Sequence, residues 1–445
     1  MQALEEWLVR EYDYAGRAMR ESISPVHIVK ERPGFGQTIR PVPGAIVAST
    51  VLASYDPDPD YFFHWFRDSA IIIDALRILY EDGSVGAEAL GCVADFTRFS
   101  LALRLLDGRA LVALPAWRSR VTEDFVRFLR LEIELNAVYG DAVAGETRVN
   151  ADGSLDISSW TRPQHDGAPL RALALLRWLR AASFEGTIAL EISTLIRADL
   201  EFTRRRARVP AFDMWEEDKG LHFHTLCVSA VALEEGAAWL DSTGVPEDAQ
   251  ACRAEAATIR SMLDGFWLPH ESIYRSRVLE SAAVSPKELD IAVILAAIHG
   301  GGAGPHSPGD PRMHSTLARL EQLFDAAYPI NRRRAAGTQP AMGRYAADSY
   351  YSGGAYYFST LGAAEFCFKA AAASEDPAAW IARGNGYLQT VRTYTPETGE
   401  LSEQFDQRTG AQTSARHLAW SYAAFISCIA ARRAVLASGS SGGPP

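Results

Sequence analysis

The sequence predicts an all-α protein, and three observations carry that prediction. Apolar residues recur with a helical period through most of the 445 residues, giving about twelve amphipathic stretches. Loops rich in Gly, Pro and Asp separate them, and few segments alternate as strands do. Some stretches, such as 354–374, carry small and apolar residues around most of their circumference, which calls for an inner layer of helices covered by an outer one. At 48% hydrophobic residues the chain can bury a large core.

In chain order, residues 1–60 are expected to form an irregular, loop- and strand-containing N-terminal segment packed on the main domain. Residues 25–66, rich in Pro, Gly, Val and Tyr, are read as loops and short strands. Asp68 heads a helix running to Tyr80, with its acidic residue at the cap position. Further helices are expected near 86–106, 121–138, 168–184, 188–207, 223–241, 246–266, 288–299, 312–329, 354–374, 376–394 and 414–436. The glycine-rich stretch at 300–311 reads as a surface loop. Residues 437–445, ending in SGGPP, read as a disordered tail beyond a catalytic domain of 61–436. No solenoid-type repeat is evident.

The net charge of −11 and pI of 5.5 disfavour a nucleic-acid partner. No run is long and apolar enough to cross a bilayer, and no amphipathic anchor suggests a membrane partner. The opening MQALEEWLVREYDYAG lacks the apolar core of a secretory leader, so a cytoplasmic location is expected; a secreted protein stripped of its leader would read the same way. Five scattered cysteines without a CxxC pair read as buried free thiols. His222 and His224 lack an obvious third ligand, so no metal and no cofactor is expected. Oligomeric state is not encoded in any feature found.

Five clusters gather aromatic and charged residues just outside the helical runs: DYFFHWFRDS (60–69), SSWTRPQHDGAPLRA (158–172), FDMWEEDKG (212–220), GRYAADSYYSGG (343–354) and LSEQFDQ (401–407). Such mixtures suit a sugar site, where aromatic faces pack on pyranose C–H bonds and charged groups meet hydroxyls. Singly, each has an ordinary explanation. Arg67–Asp68 fits a helix cap and a surface ion pair. Glu216–Glu217 fits the acidic start of a helix. Glu403 fits solvent exposure. Cleavage of a glycosidic bond needs one protonated and one ionised carboxyl group, and Glu216, beside bulky Trp215 and a second carboxylate, is a candidate for the protonated one.

Taken together and in order, the clusters resemble glycoside hydrolase family 15, the glucoamylases and related α-glucosidases. WFRDS, WTRPQHDGAPLRA, DMWEE, GRYAADSYYSG and LSEQFDQRTGAQTSARHLAWSYA each match a family segment between about residues 60 and 430. The resemblance implies an (α/α)6 barrel, an inverting exo-hydrolysis of α-glucosides that releases β-glucose, and no metal. It implies Glu216 as general acid and Glu403 as general base. Arg67 and Asp68 match the pair that holds the terminal glucose, and Arg344 a hydroxyl-binding arginine. Tyr61 and Trp65 match aromatics at the cleavage point, Trp160 and Arg162 pocket-lining residues, and Glu217 a binder of the leaving sugar. Gln404 and Ser414 match groups that orient the base and its water. Three positions depart from the family pattern: Tyr356 in place of a tryptophan, His165 of an arginine and His417 of an aspartate, all bearing on the leaving-group side. The lost tryptophan, with no starch-binding module visible after residue 436, leads to an expected preference for short malto- or isomalto-oligosaccharides. Hydrolysis specific for α-1,6 links or trehalose, and a non-catalytic sugar-binding role on the same barrel, are the alternatives.

Overall fold

The computed structural model describes residues 2–54, 58–114 and 116–440. Among them are twelve helices of nine residues or more: α1 (Gln2–Arg20), α2 (Phe66–Glu81), α3 (Glu88–Leu103), α4 (Gly167–Ala181), α5 (Gly186–Arg206), α6 (Phe223–Ser242), α7 (Pro246–Asp264), α8 (Ala292–Gly300), α9 (Pro311–Ala327), α10 (Tyr357–Ala371), α11 (Pro377–Tyr394) and α12 (Ala419–Ser440). Helices α2, α4, α6, α8, α10 and α12 touch one another in that order and close on themselves, α12 packing back on α2. The remaining six pack outside this ring, so the architecture is the expected (α/α)6 barrel.

The sequence separates the layers. Inner helices α6, α8 and α10 are buried over nearly their whole surface, as helices apolar all round must be. Outer helices bury one stripe: α9 does so with Met313, Thr316, Leu317, Leu320 and Phe324. Outer helices α7, α9 and α11 each open on a proline, which suits the first turn because its missing N–H has no partner there anyway. Asp310 and Asp376 cap two of them, accepting from the backbone N–H of Arg312 and Ala379.

The expectations for the N-terminus and for 121–138 need correction. Residues 2–20 form a helix, not an irregular lead-in. It fills the outer position beside α12, with Trp7 edge-on to Phe425 at 5.5 Å and Arg432 paired with Glu5. A boundary at residue 60 therefore cuts through the barrel. The stretch 121–138 breaks into a 3₁₀ turn (Glu123–Phe128) and a short helix (Glu132–Asn136), because its apolar residues are shared between small satellite cores. Helix α12 continues to Ser440, past the expected end at 436; residues 441–445 of the expected tail lie outside the described residues. The expected strands are present but short, the largest sheet joining Ala211–Phe212, Lys219–His222 and Arg277–Leu279.

Connections leaving the inner helices are short: 82–87, 182–185, 243–245, 301–310 and 372–376. Those entering them are long: 104–166, 207–222, 265–291, 328–356 and 395–418. Because inner and outer helices alternate in direction, all six inner N-termini point to one end, and the long loops gather there. Among the described residues no helix is long and apolar enough to cross a membrane.

Candidate active site

Glu216 sits at the tip of a hairpin whose arms are Ala211–Phe212 and Lys219–His222. The turn is built on Asp213. Its side chain accepts the N–H of Glu217 at 2.8 Å and Arg277 Nη1 at 2.7 Å. Its carbonyl accepts Gln164 Nε2 at 2.7 Å and the N–H of Glu216 at 2.9 Å. These bonds hold Glu216 at φ 67°, a left-handed conformation unusual outside glycine. Gly220, in the second arm, allows the close approach of the third strand, since a Cβ there would meet Val278 O at 2.3 Å. The glutamates thus belong to a strained turn before a strand, not to a helix start.

The Glu216 carboxylate is held by indoles. Trp65 Nε1 donates to Oε1 at 2.7 Å, Trp160 Nε1 donates to Oε2, and Arg67 Nη2 lies 3.3 Å from Oε1. Trp215 does not shield it, contrary to the sequence reading. Its indole turns the other way, donates to Asp290 Oδ2 at 2.9 Å and stacks against Phe358 and Trp420 as part of the cavity wall. The neighbouring carboxylate is also turned away: Glu217 is taken by Lys287 at 2.7 Å, Arg344 at 3.0 Å and Tyr345 at 2.5 Å.

Glu403 stands on a different wall, 9% exposed, just ahead of the Gln404–Phe405 strand. Ser414 Oγ donates to its Oε2, and Tyr61 Oη reaches Oε1 at 3.5 Å. Burial pushes its pKa from the ordinary 4.5 up to about 7, against the opposing effects of the Ser414 hydrogen bond and Arg344. Tyr61 and Trp65, 5.1 Å apart between ring centres, separate the two carboxyl groups and give one contact to each.

Arg67 and Asp68 lie in the first turn of α2, both buried, and no side chain caps that helix. Capping therefore does not explain Asp68. Its Oδ1 is buried 3.1 Å from Arg67 Nη2 without a hydrogen bond, and the residue lines the cavity. Burial works against the Arg67 charge, but Asp68, Asp166 and Glu216 outweigh it and hold its pKa above the ordinary value. Burial also raises Asp68 and, to about 6, Asp166 behind it.

These groups enclose a cavity of ≈ 230 Å³, below the roughly 300–1,000 Å³ typical of sites for drug-sized ligands. Buried Arg67, Asp68, Phe358 and Trp420 close one end; half-exposed Trp160 marks the mouth, beside an open shelf formed by Glu217, Ser349, Tyr350 and Tyr351. Of the residues expected here, Tyr61, Trp65, Arg67, Asp68, Trp160, Trp215, Glu216, Glu217, Arg344 and Glu403 line the cavity, and Ser414 touches it through Glu403.

Three do not. Arg162 is buried behind Trp160, paired with Glu146 and Asp156, because a guanidinium with two carboxylates in reach has no reason to face the pocket. Tyr356 is fully buried: its hydroxyl donates to Asp348 Oδ2 at 3.0 Å, and Arg344 lies over its ring. It is no platform for a leaving sugar. Gln404 pins the 350–354 loop, donating to Tyr350 O at 3.1 Å and Tyr356 Oη at 2.9 Å, and makes no side-chain bond to Glu403. His165 packs edge-on to Phe202, and His417 Nδ1 bonds Tyr422 Oη, so neither departure from the family pattern lines the cavity.

Sequence reading missed Tyr350, Phe358 and Trp420 as lining residues, although Tyr350 and Trp420 lie within quoted motifs. The available signal was position: each lining residue sits in, or just before, the first turn of an inner helix or in the long loop leading to it. A larger cavity of ≈ 640 Å³ opens at the other end of the ring. Its charged groups are spent on each other, Asp74 on Arg177 and Arg77, Glu365 on Lys369.

Two carboxyl groups on separate walls of a small, aromatic-lined cavity suit the cleavage of a glycosidic bond. The model of the Glycosyl hydrolases family 15 matches residues 35–95, 143–382 and 373–430, and the chain belongs to that family. Over 436 residues it is 27% identical to a probable glucoamylase of Schizosaccharomyces pombe, covering 89% of this chain and 86% of that protein. It is 29% identical to a glucoamylase of Neurospora crassa, covering 88% of this chain but only 63% of the relative. It is 26% identical to a protein of Saccharomyces cerevisiae named as an intracellular, sporulation-specific glucoamylase, covering 98% and 85%. Among solved structures, the Hypocrea jecorina glucoamylase superposes with a TM-score of 0.79 at 24% identity, over 97% of this chain and 73% of that one. The Saccharomycopsis fibuligera glucoamylase gives 0.78 at 22% identity, over 98% and 96%. The chain is a glycoside hydrolase.

Proposed function

We propose that this enzyme is an inverting exo-glucosidase that releases β-glucose from the non-reducing ends of short α-linked gluco-oligosaccharides. The observation that carries this reading is the pair of carboxyl groups, buried Glu403 and partly buried Glu216, on different walls of a cavity closed at the Arg67–Asp68 end. A closed end admits only a chain terminus. Arg67 and Asp68 hold the hydroxyls of that terminal sugar. Protonated Glu216 gives its proton to the glycosidic oxygen, and the carboxylate it becomes is stabilised by Trp65, Trp160 and Arg67. Ionised Glu403, steadied on Oε2 by Ser414, keeps Oε1 for a water, takes its proton and directs it to the anomeric carbon from the opposite face. Water needs room between acid and base, so a carboxyl separation of about 6.5–9.5 Å belongs to this reading.

Glu217 and Arg344, near the mouth, serve the leaving sugar. A cavity the size of one sugar ring with a small aromatic shelf supports short substrates over polymeric ones. The linkage, α-1,4 or α-1,6, is selected outside the closed end. Five unpaired cysteines, four of them buried, support work in a reducing compartment. The test is glucose release from maltose, isomaltose, trehalose, nigerose, dextran and soluble starch, with Glu216→Gln and Glu403→Gln as controls. Soluble starch as the best substrate, with a steep rise in kcat/KM from disaccharide to heptasaccharide, would overturn the short-substrate reading. Near-normal turnover in either variant would overturn the assignment of that carboxyl group.

A further inference from the structure

Behind the two indoles that hold Glu216 lies a charged assembly that the reaction as described does not use. The Arg148 guanidinium sits 3.8 Å from the Trp160 ring centre, 4.8 Å from that of Trp65 and 4.0 Å from that of Phe63. It is fixed there by Asp156 Oδ2 at 2.9 Å and Ser158 Oγ at 3.1 Å. Asp156 also accepts from Arg162 at 2.8 Å, Arg162 donates to Glu146 at 2.9 Å, and Glu146 takes both arms of Arg130 at 2.8 Å. This is a buried ladder of three guanidinium groups against two carboxylates, every side chain no more than 7% exposed. It carries one uncompensated positive charge, and its end member stacks on both Glu216-binding indoles.

A cation on an aromatic face draws electron density from the ring. An indole so polarised is a stronger N–H donor, and stronger donation favours the ionised form of the acceptor carboxylate. We infer that Arg148 is a positioning residue that sharpens the Trp65 and Trp160 donors and thereby sets how strong an acid Glu216 is. The inference deepens the proposed function and rests on Glu216 as the acid. The other titratable and charged groups around Glu216 are Arg67 with Asp68 and Asp166 behind it and Tyr61 with Glu403 beyond; Glu217 is turned away onto Lys287 and Arg344. Arg32 lies across Phe63 from Arg148. None of these changes in the variants below.

The ladder makes a signed test possible. Arg148→Met cancels the surplus charge and should raise the Glu216 midpoint, and with it the limb of kcat/KM that reports Glu216, by about one pH unit, a roughly tenfold weaker acid. Arg148→Lys keeps the charge and should hold the limb near its original position even if kcat falls. Asp156→Asn adds to the surplus and should move the limb downward. Loss of packing around Trp160 alone would lower activity in all three without this pattern of signs. Glu216 is titrated in parallel by carbon-13 NMR of glutamate-labelled enzyme, the Glu216→Gln spectrum assigning its signal. Opposite shifts in Arg148→Met and Asp156→Asn support the inference. A Glu216 midpoint unmoved in both, or moved the same way in both, overturns it. A midpoint that shifts as expected while the kinetic limb stays fixed keeps the inference and removes Glu216 as the acid.

Discussion

Replacing Glu403 by Gln should make the folded protein more stable at pH 8 while it destroys activity. The carboxyl group is buried, and its pKa rises from 4.5 to about 7 on folding. A group raised in the folded state contributes stability that is fully present below its unfolded value, here 4.5, and lost as pH climbs through its folded value, here about 7. At pH 8 the enzyme therefore bears the full penalty of ionised Glu403, about 3 kcal/mol from the gap between the two values. Gln keeps the shape and still accepts from Ser414, so most of that penalty should vanish. With unfolding entropy near ~2.1 cal/mol/K per residue, a chain of this length should gain about 3 °C in Tm. Differential scanning calorimetry of both proteins at pH 8 and pH 4.5 measures it. The gain should appear at pH 8 and disappear at pH 4.5. An unchanged or lower Tm in Glu403→Gln at pH 8 would refute the claim that burial makes ionised Glu403 costly to the fold.

Other outcomes follow from the same geometry. The Glu403 carboxyl should titrate near pH 7 in the free enzyme, and Ser414→Ala should push that midpoint higher, since the Ser414 bond opposes the upward shift; a carbon-13 NMR midpoint that stays put in Ser414→Ala would contradict this. Asp68→Asn and Arg67→Ala should each lower kcat/KM by about 10²-fold or more, acting on kcat as well as KM, because charged hydrogen bonds to the terminal sugar tighten in the transition state; an effect under about threefold in steady-state assays would remove them from the site. Gly167→Ala should cost about 1–3 kcal/mol in denaturant unfolding and impair activity, because a Cβ there would meet the Phe66 Cβ at 2.6 Å where α4 approaches α2 beside the site.

The barrel was legible because its helices speak through periodicity. Eleven of the twelve long helices fall on stretches read from the sequence; α1 was missed although Leu4, Trp7, Leu8, Tyr12 and Ala15 recur at helical spacing as one buried stripe opposite most of its charged residues. Segment 121–138 misled because its apolar residues serve two small clusters rather than one stripe. At the site, residue identities were legible but directions were not. Trp215 adjoins Glu216 in sequence yet points to Asp290, and Tyr356 sits in an aromatic motif yet lies under Arg344. The strained φ of Glu216 and the placement of Arg148 behind two indoles arise from contacts between residues 60–70, 148–164 and 211–222, which no local pattern encodes.

The most direct test of the two-carboxylate reading is the anomeric form of the first product. Proton NMR of a fresh digest of maltose or isomaltose, recorded before mutarotation, should show the β-anomer of glucose accumulating first, with the α-anomer following only at the spontaneous rate. Glucose appearing first as the α-anomer would contradict attack by a Glu403-activated water across from Glu216, and with it the central claim.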